Sequence, residues 1–308
     1  MRKWFCITRK SATFAPSMRW NMKRNILFTL LSAALLTGCG EYSAVQKSLD
    51  YDYRYEVAKA NFAEGNYNRA SQLLGDLIAP LKGTQYGEES LFLLAQSCFR
   101  HKDYESASTF FRKYYQSYPK GEYVEQARYG CGYALYKMTA DPRLDQSSTM
   151  ESITEFQNFL DFYPQTSLRE QTTQMIYALQ DKLVEKEFLA AKLYYDLGGY
   201  VGNMTYGGSN YEACVVTAEN ALKDYPYASA QRREEFSVMI VRAKYHLAMK
   251  SVEEKRIERF RDAVDECYAF RNDYPESKHL KEVNSMLAHA EGVVKKKNIQ
   301  LQPADDQE

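Results

Sequence analysis

The sequence is poor in the residues that interrupt regular structure and in those that carry chemistry. Only 15 Gly and 8 Pro occur in 308 positions. A sandwich or barrel needs a turn about every 8–12 residues, so those architectures are excluded. With four His and no CxxC, HExxH or GxGxxG, the usual metal, redox and dinucleotide signatures are missing. Acid is also absent from residues 1–38, which hold seven basic side chains (Arg2, Lys3, Arg9, Lys10, Arg19, Lys23, Arg24). Without those seven, residues 39–308 carry 33 basic against 40 acidic groups, a formal charge of −7. That sign disfavours nucleic acid as a partner, because such binding rests on neutralising phosphates. The apolar content of 45%, with 14% aromatic, is ample for a packed core and excludes global disorder. A soluble helical chain without an enzyme signature remains.

Lys23-Arg24 precede an uncharged run from Asn25 to Gly38, with Ile26, Leu27, Phe28, Leu30, Leu31, Leu35 and Leu36 as its apolar surface. This is a positive n-region with an h-region too short for a bilayer span of about 20 residues. It ends in Leu36-Thr37-Gly38-Cys39, which resembles the lipobox of bacterial lipoproteins. There the small residues fit the peptidase cleft, and the Cys thiol accepts diacylglycerol. The alternatives are an ordinary signal peptide with an incidental Cys, or a buried apolar helix. The expectation is a signal peptide over 1–38, with 1–21 a mis-assigned start ahead of Met22, and lipid attachment at Cys39. Residues 39–50 then form the lipid anchor and a short linker, and several acyl chains on one residue anchor firmly.

A Tyr-Pro dipeptide recurs at Tyr118-Pro119, Tyr163-Pro164, Tyr225-Pro226 and Tyr274-Pro275. The segments before it align as YESASTFFRKYYQSYP, TMESITEFQNFLDFYP, YEACVVTAENALKDYP and FRDAVDECYAFRNDYP. Their fourth residue is small (Ala107, Ser152, Cys214, Ala263). Their eighth and eleventh are apolar: Phe111 and Tyr114, Phe156 and Phe159, Ala218 and Ala221, Cys267 and Phe270. That spacing is one face of a helix, and Pro ends it because it cannot donate to the ladder. YNRASQLLGDLIAP adds a fifth copy through Ala70, Leu74 and Leu77.

Each copy follows another helical stretch, and residues 51–119 fit the tetratricopeptide (TPR) pattern closely. Ala58, Ala95 and Gly132 take the small position of helix A, with Gly65-Asn66-Tyr67 and Lys102-Asp103-Tyr104 as tight turns. The third unit carries an insertion at 139–148. An extra helix from Ser167 to Leu183 runs into the next helix A, VEKEFLAAKLYYDLGGY, and Lys278 to Lys297 reads as a closing helix. The expected fold is an all-α, TPR-like α-solenoid of about five helix-turn-helix repeats with a C-terminal capping helix. Units 1–3 occupy 51–165; units 4–5 and the cap occupy 166–297; 298–308 is a tail.

His101, His246, His279 and His289 lack paired ligand spacing, so structural roles are expected and no metal site. Cys98, Cys131, Cys214 and Cys267 occupy helix-packing positions, which makes buried thiols the default. Spacing leaves open whether any pair forms a disulfide. Carboxylates alternate with Lys and Arg, as in EEKRIERFRDAVDE, and form a solvated face. No catalytic residue and no cofactor is expected.

Helix A lines the concave face of a TPR array. Its second, fifth, ninth and twelfth positions are Asp52, Tyr55, Lys59, Phe62; Glu89, Phe92, Gln96, Phe99; and Gln126, Tyr129, Tyr133, Tyr136. Phe62, Phe99 and Tyr136 read equally well as inter-helix core. Tyr55, Phe92, Tyr129 and Tyr133, with Lys59 and Gln96 between them, are the candidate lining of a groove for an extended apolar peptide. The Lys/Asn/Arg clamp for a terminal carboxylate is missing.

The segments ANFAEGNYNRA, FRKYYQSYPKGEYVEQARYGCGYALY, LVEKEFLAAKLYYDLGGY, ALKDYPYASAQ and FRNDYPESKH, with the lipobox, resemble the BamD (YfiO/ComL) family over roughly residues 45–295. The family is the TPR lipoprotein subunit of the outer-membrane β-barrel assembly machine. The resemblance implies a lipid-anchored protein on the periplasmic face of the outer membrane. It implies N-terminal repeats that bind the terminal signal of unfolded outer-membrane β-barrel proteins. It also implies C-terminal repeats that dock a POTRA-domain barrel-assembly subunit. Two longer loops (139–148 and 204–210) and Thr217, where family members often have Arg, depart from the pattern. The competing readings are a generic periplasmic TPR adaptor for cell-envelope assembly or division, and a glycan-binding lipoprotein or hydrolase. The array leaves no second domain for the last.

Overall fold

The computed structural model describes residues 42–198 and 209–301. The expected signal peptide over 1–38, Cys39, most of the 204–210 segment and residues 302–308 lie outside the described residues. Every regular element among them is a helix: α1 (42–47), α2 (Tyr51–Ala63), α3 (Tyr67–Leu77), α4 (Gly87–Arg100), α5 (Tyr104–Ser117), α6 (Val124–Met138), α7 (Ser147–Phe162), α8 (Arg169–Leu197), α9 (Asn210–Asp224), α10 (Ala230–Met249), α11 (Glu253–Asp273) and α12 (Leu280–Leu301). They form two compact units that divide after Gly121. The pair α6–α7, grouped from sequence with the first two pairs, thus falls in the C-terminal unit.

In the N-terminal unit α2 packs on α3, α3 on α4 and α4 on α5, with a further contact from α2 to α4. In the C-terminal unit each helix from α6 to α12 packs on the next, and α10 also touches α8 and α12. This next-neighbour pattern is that of a helical-repeat array, in which each pair buries its apolar stripe only against adjacent helices. The expected closing helix is α12. The extra helix and helix A of the fourth unit are one helix, α8, of 29 residues.

The small positions explain the close crossings. Ala58, Ala70, Ala95, Ala107, Ser152, Cys214 and Ala263 are all fully buried. At Gly132 the Ser152 hydroxyl donates to the carbonyl at 2.9 Å, so α6 and α7 meet backbone to side chain. The eighth and eleventh positions of each copy are buried as well, from Phe111 and Tyr114 to Cys267 and Phe270. Full burial of the Phe side chains among them contributes about 1.5–3 kcal/mol each relative to exposure.

The first two hairpin turns share a left-handed residue but differ in their caps: Asp103 caps α5 through Ser106 N–H at 3.2 Å, whereas Asn66 before α3 makes no side-chain cap. Between α2 and α3 the chain turns through Gly65 at φ +82°, and at the equivalent place between α4 and α5 Lys102 stands at φ +72°. The four Tyr of the Tyr-Pro pairs share one conformation, with φ between −120° and −130° and ψ between 63° and 68°. Each donates its N–H to the residue four back, and its carbonyl accepts the N–H three residues on. The following Pro blocks the helical conformation and removes the next donor, which ends all four helices at one register.

Candidate functional site

The candidate groove residues divide between the two units. In the first, Tyr55 is fully buried, at 0% exposure. The Tyr86 ring, from the α3–α4 connection, tilts over it at 4.8 Å between centroids. The Tyr55 hydroxyl donates to Glu89 Oε2 at 2.5 Å, and Lys59 Nζ lies 3.0 Å from Glu89 Oε1. Burial pushes the Glu89 carboxyl up, but these two hydrogen bonds and the Lys59 charge outweigh it and hold its pKa below the ordinary value. As it stands, Tyr55 is packing beneath the helix A surface and offers no free ring. What it presents to that surface is the polar triad it anchors with Lys59 and Glu89.

Phe92 is half-buried and edge-on to Phe111 and Tyr114, at 6.1 and 5.5 Å. Gln96, one turn further on α4, is half-buried. Phe62 meets Tyr67 edge-on at 5.4 Å, and Phe99 meets Tyr104 in the same way at 5.4 Å. Both rings therefore close their own hairpin turns, the packing role weighed for them above.

In the second unit three tyrosines run along α6 as a ladder. Tyr129 and Tyr133 stack with centroids 5.7 Å apart and planes at 18°. Tyr133 and Tyr136 follow at 6.0 Å and 14°. Lys137 Nζ sits 5.0 Å from the Tyr133 ring and 5.9 Å from the Tyr136 ring. Tyr129 packs inward on Phe156 and Phe159, and its hydroxyl accepts from Gln171 Nε2 at 3.2 Å. Burial, then Tyr133, raises the Tyr129 hydroxyl pKa. The ladder rings are all half-buried, stacked on one another along α6 and packed against the cluster of Phe156, Ile176 and Leu179.

The sequence also hid a group of potential ligands. Cys98, His101 and Asp103 bring one ligand atom each within 4.8 Å of one another at the second hairpin turn. Each has a structural task. Asp103 caps α5, His101 Nε2 lies 3.2 Å from Ser71 Oγ, and burial followed by the Asp103 charge pushes the Cys98 thiol up to about 12. The other histidines are similarly occupied: His246 stacks on Tyr211 at 5.5 Å, His279 Nδ1 lies 3.8 Å from Glu282, and His289 pairs with the Tyr245 hydroxyl at 3.0 Å. Cys98, Cys131, Cys214 and Cys267 are buried free thiols. None of the helices among the described residues is long and apolar enough to cross a membrane.

Helix hairpins packed in consecutive pairs, with small residues at their crossings, define a TPR-like α-solenoid. The YfiO family, described as outer membrane lipoprotein, matches residues 49–205, half of this chain. The chain belongs to that family. It is also 24% identical over 276 residues to an Aquifex aeolicus (strain VF5) protein assigned as outer membrane protein assembly factor BamD. That similarity covers 87% of this chain and 85% of the relative.

Proposed function

We propose that this chain is the lipid-anchored scaffold of an outer-membrane β-barrel assembly machine. Cys39 carries the lipid and holds the repeats at the periplasmic face of the outer membrane. The N-terminal repeats take extended segments of unfolded barrel proteins, and the C-terminal repeats dock the POTRA-bearing subunit. The reading assigns no catalytic step and no cofactor.

The observation that carries it is the YfiO match over residues 49–205, extended by the similarity to the Aquifex assembly factor over 87% of the chain. The physical support is the helix A surface. Half-buried Phe92 in the first unit, and Tyr129 and Tyr133 in the second, each offer an apolar ring at low entropic cost, because each is already held by its neighbours. Polar groups accompany the rings within each unit, Lys59–Glu89 in the first and Lys137 in the second.

The test is depletion with affinity capture on a C-terminal tag. Depletion is expected to lower outer-membrane β-barrels as a group, and the tag to recover a POTRA-domain protein. Loss of one envelope pathway alone, with no POTRA protein recovered, would place the chain among the generic adaptors instead.

A further inference from the structure

Within the C-terminal unit an open cleft of about 550 Å³ lies among α9, α10 and α11. Its apolar lining is Val215, Val216, Leu247 and Ala269, of which Val216 is 52% exposed and Val215 is buried. Its polar wall carries five carboxylates against two cations. Lys244 is already held twice, 3.1 Å from Glu219 and 2.6 Å from Glu266. Arg259 lies 3.9 Å from Glu212 and donates to Ser251 Oγ at 2.7 Å. Asp262 and Asp265 are exposed on α11 and have no hydrogen-bond or ion-pair partner among the described residues.

Two exposed acids three apart on a helix usually form a solvated face, and such a face needs no apolar floor. Here the spare negative charge borders an uncovered valine, and the internal cations are already neutralised. We propose that this cleft is a docking site for a basic segment of a protein partner. Its apolar side chains would cover exposed Val216 and the half-buried Leu247 beside it, and its Lys or Arg would meet Asp262 and Asp265. A small polycation would satisfy the acids but would leave the floor without shaped contact. The inference goes beyond the function above and stands whichever partner supplies the segment.

The test uses the full chain in detergent and a labelled octapeptide of alternating Lys and Leu. Controls are the same peptide with Ser for Leu or Glu for Lys, and spermidine. The Lys/Leu peptide is expected to bind, and more weakly as salt rises. Asp262→Lys with Asp265→Lys should weaken it by about tenfold or more. Val216→Ser should weaken it by a few-fold, as should Ser for Leu in the peptide. Circular dichroism of each variant should match the wild type, since the altered side chains are exposed. Absence of binding, or an unchanged affinity in the double variant, overturns the proposal. Equal binding of the Ser peptide or full displacement by spermidine also overturns it, in favour of a simple cation site.

Discussion

The Ser152 hydroxyl donates to the Gly132 carbonyl at 2.9 Å, and a Cβ on Gly132 would lie 2.7 Å from the Phe156 ring. Phe156 is fully buried. Gly→Ala inside a helix ordinarily gains about 1 kcal/mol. At this crossing, overpacking costing about 1–3 kcal/mol opposes that gain. Gly132→Ala is therefore expected to lower the melting temperature of the C-terminal unit. A rise would show that the ring can yield.

Ala107 plays the matching part between α4 and α5, with no exposed surface. Ala107→Leu adds three carbons to that contact and is expected to cost about 1–3 kcal/mol. Urea unfolding of the variant measures the loss. An unchanged midpoint would mean that the helices do not meet there.

Lys102 holds a left-handed conformation that Gly65 adopts without strain at the equivalent turn. Lys102→Gly should stabilise the second hairpin by up to about 1 kcal/mol, the cost of αL for an L-residue less the entropy of Gly. Thermal melting of the variant should show the gain; a fall would place the cost of Gly entropy above the relief.

Arg242 grips Glu282 with both Nε and Nη2, at 2.7 and 2.6 Å, and so ties α10 to α12. The Arg242 hydrogen bond is the largest cause of the lowered Glu282 pKa, against a smaller desolvation effect. A carboxyl whose folded pKa lies below its unfolded value adds stability above the unfolded pKa. That contribution is lost as pH falls through the folded pKa. Wild type should therefore exceed Glu282→Gln in stability at neutral pH, and the gap should close below about pH 4. Urea midpoints across pH read it directly, and a gap independent of pH would mean that the ion pair contributes nothing.

The α6 ladder and Phe92 carry the peptide prediction. Tyr133→Ala and Phe92→Ala, made separately, should each weaken capture of a barrel-protein C-terminal peptide by about tenfold, as loss of an aromatic anchor does. Tyr55→Phe, which removes only a hydroxyl from a buried ring, should act through Glu89 and Lys59 and have a smaller effect. Normal binding by both alanine variants, folded by circular dichroism, would leave the ladder as packing alone.

Much of the fold was legible because its rules are local. Tyr-Pro ends a helix wherever it occurs, and a small residue recurring at one register marks a crossing, as Ala107 and Ser152 do. Burial of Tyr55 was not legible, because the ring that covers it, Tyr86, belongs to an aperiodic connection. The 139–148 insertion hid its own core residue. Buried Gln146 donates to the Asp141 and Leu144 carbonyls at 2.7 and 3.1 Å and accepts from Thr149. A helix period reveals which face is apolar, and tertiary packing decides what closes over it.

Helix α8 runs through 29 residues from Arg169 to Leu197, which at 1.5 Å per residue is about 44 Å. Its Ile176 and Leu179 cluster with Phe156 of α7, and its Val184 and Ala191 cluster with α9. A continuous hydrogen-bonded rod has no soft joint, so α8 acts as a strut between those two hairpins. A load applied at the tyrosine ladder side would reach α9 as a tilt of the whole rod, with little absorbed along the way.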